Sequence, residues 1–133
     1  MRAKNEFALR VIGYVRSEIR RREDSPRQGK EGAPDAWLEL DDTYLPALDG
    51  IVAGDELILL TWFHLSDREV QQVHPRGDVN NPMMGVFGTR SPDRPNPIGL
   101  HPVRVLELSG NRMKVGPLEA VDGTPVVDIK PVI

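Results

Sequence analysis

The chain has 133 residues, 12 prolines, 12 glycines and no cysteine, a makeup that suits one domain and excludes disulfides and thiolate zinc sites. Its formal net charge of −3 argues against indiscriminate nucleic-acid binding, although arginine far outnumbers lysine and clusters at residues 16–27 and 90–94. The opening Met1-Arg2-Ala3-Lys4-Asn5-Glu6 lacks the apolar centre of a secretory leader, and no run approaches a membrane span, so a cytoplasmic protein with no membrane segment is expected.

Phe7 to Ser17 alternates apolar and polar residues and predicts a strand. Glu18 to Pro34 is charged and broken by Pro26, Gly29, Gly32 and Pro34, which makes it a long loop of the kind that is usually functional or mobile. Trp37 to Leu40 predicts a short strand, and Thr43 to Leu48 one helical turn stopped at Asp49-Gly50. Leu57 to Leu65 is continuously apolar in character and predicts a strand buried on both faces. Ser66 to Pro82 is again polar, with a turn or two of helix over Asp67 to Val73. Beyond a loop from Gly85 to Leu100, Pro102 to Leu108 alternates cleanly, and Ser109-Gly110-Asn111 turns it into a hairpin partner over Arg112 to Leu118. Asp122-Gly123 is a further turn, leading into a last strand from Val126 to Ile133. Such a series predicts a single mainly β domain over residues 1–133, with long loops and at most short helices. A closed or nearly closed barrel leaves no strand edges exposed and is favoured over a β-sandwich.

The segment from Gly85 to Leu100 interleaves prolines, glycines and arginines, so it is neither an ordinary helix nor a central strand. A plain turn needs two to five residues; a long stiffened loop reads as a binding loop on a scaffold. Nucleotide-fold glycine fingerprints, a P-loop and a nucleophile elbow are all absent from the sequence. His64, His74 and His101 lack metal-ligand spacing, so no metal is expected, and no covalent nucleophile is indicated. What remains is binding chemistry. Arg90 and Arg94 offer planar cationic forks, while Thr89, Ser91 and Asn96 offer neutral donors and acceptors that could equally satisfy the loop's own backbone.

The run Gly85-Val86-Phe87-Gly88-Thr89-Arg90-Ser91-Pro92-Asp93-Arg94-Pro95-Asn96-Pro97-Ile98-Gly99-Leu100 resembles the signature of the TrmO family, also called TsaA-like or YaeB-like. Ile12 to Ser17 with Pro26-Arg27-Gln28, and Asp122 to Pro131, resemble its opening and closing motifs, so the likeness spans nearly the whole chain. The resemblance implies a TsaA-like β-barrel that binds S-adenosyl-L-methionine, is usually a homodimer, and methylates N6 of N6-threonylcarbamoyladenosine at position 37 of tRNA. It implies cofactor contacts at Pro26, Arg27, Gln28, His64, Leu65, Arg90 and Leu100, and at Asp122, Gly123, Thr124 and Pro125. Arg94 and Asn96 are candidates for substrate contact, and Arg16, Arg20, Arg21, Arg22, Arg27, Lys30 and Arg94 form a candidate RNA-facing stripe. No residue is assigned as the catalytic proton acceptor. His101 stands where the family often has serine, Gly88 where it has alanine, and Val132 where it has tyrosine; longer relatives continue past the position of Ile133 with a region expected to aid tRNA binding. A different RNA or small-molecule acceptor, or a ligand-binding module without catalysis, are the alternatives.

Overall fold

The computed structural model describes residues 5–133; Met1 to Lys4, on which part of the leader argument rests, lie outside the described residues. In chain order the strands are β1 (Gly13–Arg16), β2 (Ala36–Leu40), β3 (Glu56–Trp62), β4 (Gln72–Val73), β5 (Met84–Gly85), β6 (Ile98–Ser109), β7 (Arg112–Gly116) and β8 (Pro125–Pro131). Six of them close a barrel in the order β1-β2-β7-β6-β3-β8, every neighbouring pair antiparallel. The remaining two, β4 and β5, pair into a separate ribbon. Helical structure among the described residues is confined to short 3-10 turns, the longest from Asp42 to Leu48. There the Asp41 carboxylate accepts the Thr43 N–H, and that hydrogen bond holds the Asp41 carboxyl below its ordinary range. The architecture is thus the mainly β, closed barrel that the sequence predicts.

The core follows from strand alternation. Val15, Leu38, Leu57, Leu59, Val103, Val105, Met113, Val115 and Val126 point inward from successive strands and are buried together. Each such side chain contributes about 1.5–3 kcal/mol by leaving water. Connectivity then decides where a site can form. The β1–β2, β3–β6 and β7–β8 connections leave from the same end of the barrel, and they include both long polar segments. The opposite end carries the 3-10 turn after β2 and the tight β6–β7 turn.

Four expectations about elements need correction. Only Gly13 to Arg16 of the first predicted strand pairs with neighbours; Phe7, Leu9 and Val11 alternate but stay exposed, because no strand lies beside them. The outward residues Ile58, Leu60 and Trp62 of β3 are only half-buried, so that strand is sealed on its inner face alone. Asp67 to Val73 is not helical: the Asp67 carboxylate accepts the Glu69 N–H in a local turn, and Gln72-Val73 joins the ribbon. Finally, β6 begins at Ile98, inside the predicted loop, and runs through Pro102. Proline is tolerated there because pairing to β7 starts only at Arg104, leaving Pro102 with a single neighbouring strand.

Candidate functional site

The three long connections enclose a cleft of about 1880 Å³ at one end of the barrel. Its walls come from the β1–β2 loop, the residues after β3, the ribbon, the proline-rich loop, the start of β6 and the segment after β7. Small-ligand pockets usually occupy about 300–1,000 Å³, so this cleft has room for two reactants side by side.

The proline-rich wall is held rigid from within by Arg94. Its guanidinium donates from Nε to the Ser91 carbonyl at 2.7 Å, and from Nη2 to the carbonyls of Val86 at 2.8 Å and Thr89. The Thr89 hydroxyl donates to the Val86 carbonyl and accepts the Ser91 N–H, closing the turn on itself. Asp93 fastens the loop to its neighbours by accepting from Arg22 Nη2 at 3.2 Å and from the Asp67 N–H at 2.9 Å. A side chain that bridges three carbonyls of its own loop is a brace. Arg94 therefore borders the cleft with its Nε and Nη2 donors already engaged. Asn96 does not line the cleft; its side-chain Oδ1 accepts from Arg68, which also stacks over Trp62.

Most of the arginine stripe is similarly engaged. Arg16 pairs with Glu39, Arg20 with Asp122, Arg21 with Asp24 and Glu23, and Arg22 with Asp93. The Asp24 carboxylate, hydrogen-bonded to the Arg21 guanidinium, raises that group above its ordinary range. Arg27, Lys30 and Arg90 differ: all three are exposed, line the cleft and have no acidic partner among the described residues. They are the free cations of the site.

Of the other residues singled out from sequence, Pro26, Gln28, His64, Leu65, Leu100 and Thr124 also line this one cleft. They come from four separate stretches of chain. Leu65 and Leu100 expose about half of their surface, which gives the cleft apolar faces opposite its cations. Asp122, Gly123 and Pro125 are not in the wall. The Asp122 carboxylate accepts the Ser17 N–H and pairs with Arg20, the Gly123 N–H donates to Val15, and Pro125 faces Tyr14 where β8 closes the barrel. Gly123 adopts φ +85°, open to glycine with little strain. This turn holds Thr124 at the cleft from behind.

One polar group lies deeper. His101 is 1% exposed, with Nε2 2.8 Å from Thr61 Oγ1 and Nδ1 2.6 Å from Glu119 Oε1. Phe63 meets the ring edge-on, with centroids 5.7 Å apart. Gly99 makes the room, since a Cβ there would collide with Thr61, Phe63 and His101. In the sequence His101 stands out as a departure from the family pattern and as a histidine without metal-ligand spacing, and Glu119 does not stand out. A usable signal existed for the first: His101 sits in the inward register Gly99, His101, Val103, Val105, where a polar residue demands partners. Nothing local marks Glu119, which meets the ring from the segment after the neighbouring strand β7.

A closed antiparallel barrel whose long loops build one cleft, lined by free arginine forks and apolar side chains, defines a binding barrel for small ligands that carry an anionic group and an apolar part. Known proteins make the assignment sharper. The model of the tRNA-methyltransferase O N-terminal domain matches residues 14–133, and this chain belongs to that family. It is 42% identical over 126 residues to a probable S-adenosyl-L-methionine-binding protein of Methanothermobacter thermautotrophicus, covering 95% of this chain and 90% of that one. It is 38% identical over 136 residues to the tRNA (adenine(37)-N6)-methyltransferase of Escherichia coli K12, covering 96% of this chain and 58% of that enzyme. Its fold matches a crystal structure of TrmO from P. aeruginosa with a TM-score of 0.78 at 31% identity, covering 98% of this chain and 56% of that one. The chain thus spans little more than half the length of these last two proteins. Among the described residues no helix is long and apolar enough to cross a membrane.

Proposed function

We propose that this chain is an S-adenosyl-L-methionine-dependent methyltransferase acting on N6 of adenosine 37 in tRNA, with N6-threonylcarbamoyladenosine as acceptor. The observation that carries the reading is the braced loop that leaves Arg90 free at a cleft shared with Arg27, Leu65 and Leu100. The donor set fits the methyl donor. Arg90 and Arg27 would hold its carboxylate with forked hydrogen bonds. Leu65 and Leu100 would cover the faces of its adenine, with Pro26, Gln28, His64 and Thr124 completing the wall. When bound, the donor supplies an activated methyl group on a sulfonium.

The protein's part is then alignment. Holding two reactants in line supplies about 7–11 kcal/mol of a displacement barrier when geometry is ideal, and a rigid loop suits that task. Lys30, Arg27 and Arg90 make the cleft locally basic on a chain of negative net charge, which supports an RNA acceptor that enters at this end. The same reading has the protein working in the cytoplasm as a homodimer; the exposed alternation Phe7, Leu9, Val11 supports cover by a second copy. The test is incubation of unmodified and threonylcarbamoylated tRNA with the protein and methyl-labelled donor, followed by nucleoside mass spectrometry. Label on N6-threonylcarbamoyladenosine is expected. Label on another nucleoside, or binding of the donor without transfer, would overturn the assignment.

A further inference from the structure

We propose that Glu119 is the group that takes the proton released by methyl transfer, and that His101 with Thr61 positions it. The inference rests on the reading of the cleft as a methyltransferase site. Methylating a nitrogen that carries hydrogen liberates one proton, and an acceptor nitrogen of carbamoyl type is too weakly basic to keep it. A base beside that nitrogen lowers the barrier, typically by 10²–10⁴-fold in rate.

Three carboxylates line the cleft, and two of them already have their charge paired with an arginine. Asp93 takes both Arg22 and the Asp67 N–H on Oδ1, and the guanidinium holds that charge while fastening the loop. Glu23 is exposed and pairs with Arg21. Glu119 is different in kind. Its side chain is 13% exposed, Oε1 is held by buried His101, and Oε2 has no hydrogen-bond partner among the described residues. The loop backbone crosses that second oxygen closely, since a Cβ on Gly29 would come within 3.0 Å of it. The carboxylate is therefore fixed on one side and without a hydrogen-bond partner on the other, in a cleft whose cations without an acidic partner among the described residues are Arg27, Lys30, Arg90 and the loop brace Arg94.

The pairing also fixes one ring hydrogen. An ionised carboxylate only accepts, so His101 Nδ1 carries hydrogen and donates to Glu119, while Nε2 shares a second hydrogen bond with the Thr61 hydroxyl. The proton gained by Glu119 stays on Oε2, and the bonds of His101 to Glu119 Oε1 and to Thr61 are both kept.

The step balances. As the nitrogen–carbon bond forms, the carbon–sulfur bond breaks with its electron pair left on sulfur. The nitrogen–hydrogen bond breaks with its pair left on nitrogen, and the proton goes to Glu119 Oε2. One positive and one negative charge are lost together. Glu119 is then a catalytic residue and His101 a positioning residue.

Glu119→Gln keeps size and shape. We expect single-turnover transfer to fall by at least about a hundredfold, with donor affinity by calorimetry within threefold of wild type. In the free protein, the ring proton on His101 Nδ1 should resonate far downfield in the NMR spectrum and move upfield in Glu119→Gln. His101→Asn should slow transfer less than Glu119→Gln, and the double variant should be no slower than Glu119→Gln alone, because His101 acts through the carboxylate. Transfer within threefold of wild type, or a rate loss matched by lost donor affinity, would overturn the proposal; the second result would make Glu119 a ligand of the donor's cationic groups. Wild-type protein that binds the donor and transfers nothing would instead overturn the functional reading on which this rests.

Discussion

Replacing Arg94 with lysine separates a brace from an RNA contact. Both residues carry the charge, so a phosphate contact survives the change, whereas three carbonyls cannot be bridged by one ammonium. Arg94 donates to the carbonyls of Ser91, Val86 and Thr89. Lysine can keep one of these bonds and loses two. Hydrogen bonds to a charged group contribute about 1.5–3 kcal/mol each when buried. These are half-buried, so water replaces part of the loss and about 1 kcal/mol per bond, or 2 kcal/mol in all, is the appropriate scale. For a chain of this length that lowers Tm by about 6–10 °C. Donor affinity should fall as well, because the carbonyls that Arg94 gathers flank Arg90. Urea unfolding and calorimetry with S-adenosyl-L-methionine provide the two readouts. A lysine variant as stable as wild type, with unchanged donor affinity and weakened tRNA binding, would refute the brace and return Arg94 to the RNA surface.

Gly99→Ala should destabilise the protein by about 1–3 kcal/mol, since the new methyl would lie 2.6 Å from Phe63 Cζ and 2.7 Å from His101 Nε2; unfolding within 0.5 kcal/mol of wild type would mean that the polar cluster yields easily. Asp41 provides a pH signature. Its folded carboxyl is held below the ordinary value by the Thr43 N–H, so the stability it lends is present above the unfolded value and is lost as pH falls through the lowered folded value. Wild type and Asp41→Asn should accordingly differ in urea unfolding near neutral pH and converge in strong acid; a constant gap across that range would show that the carboxylate charge is not involved.

The barrel was legible because its signals are local. Alternation over Trp37 to Leu40 and Arg112 to Leu118, and turn residues at Ser109-Gly110-Asn111, specify strands and reversals without knowledge of partners. The exposed Phe7 to Val11 alternation shows the limit, since it predicts an extended segment and cannot say that no neighbour will pair with it. The start of β6 at Ile98 was hidden by Pro97 and Gly99, whose turn chemistry is real but is outweighed by pairing with β3. At the site, the family resemblance implied Arg27, His64, Leu65, Arg90 and Leu100 together, and the fold brings them to one cleft. The sequence assigned Arg90 to the cofactor and Arg94 to substrate, but did not show that Arg94 is a brace within its own loop. That role lies in where the guanidinium points, which depends on the fold of the loop. The Thr61–His101–Glu119 chain was invisible for a related reason: its members lie on β3, on β6 and in the segment after β7, and meet only when those neighbouring strands pair.

Calorimetric titration of S-adenosyl-L-methionine into wild type and Arg90→Ala tests the assignment of the cleft most directly. Wild type should bind one donor per chain. Arg90→Ala should bind it more than about tenfold more weakly with Tm unchanged, as loss of a charge-assisted pair from an otherwise intact site requires. Equal affinity in the two proteins would remove Arg90 from the pocket and place the donor elsewhere on the barrel.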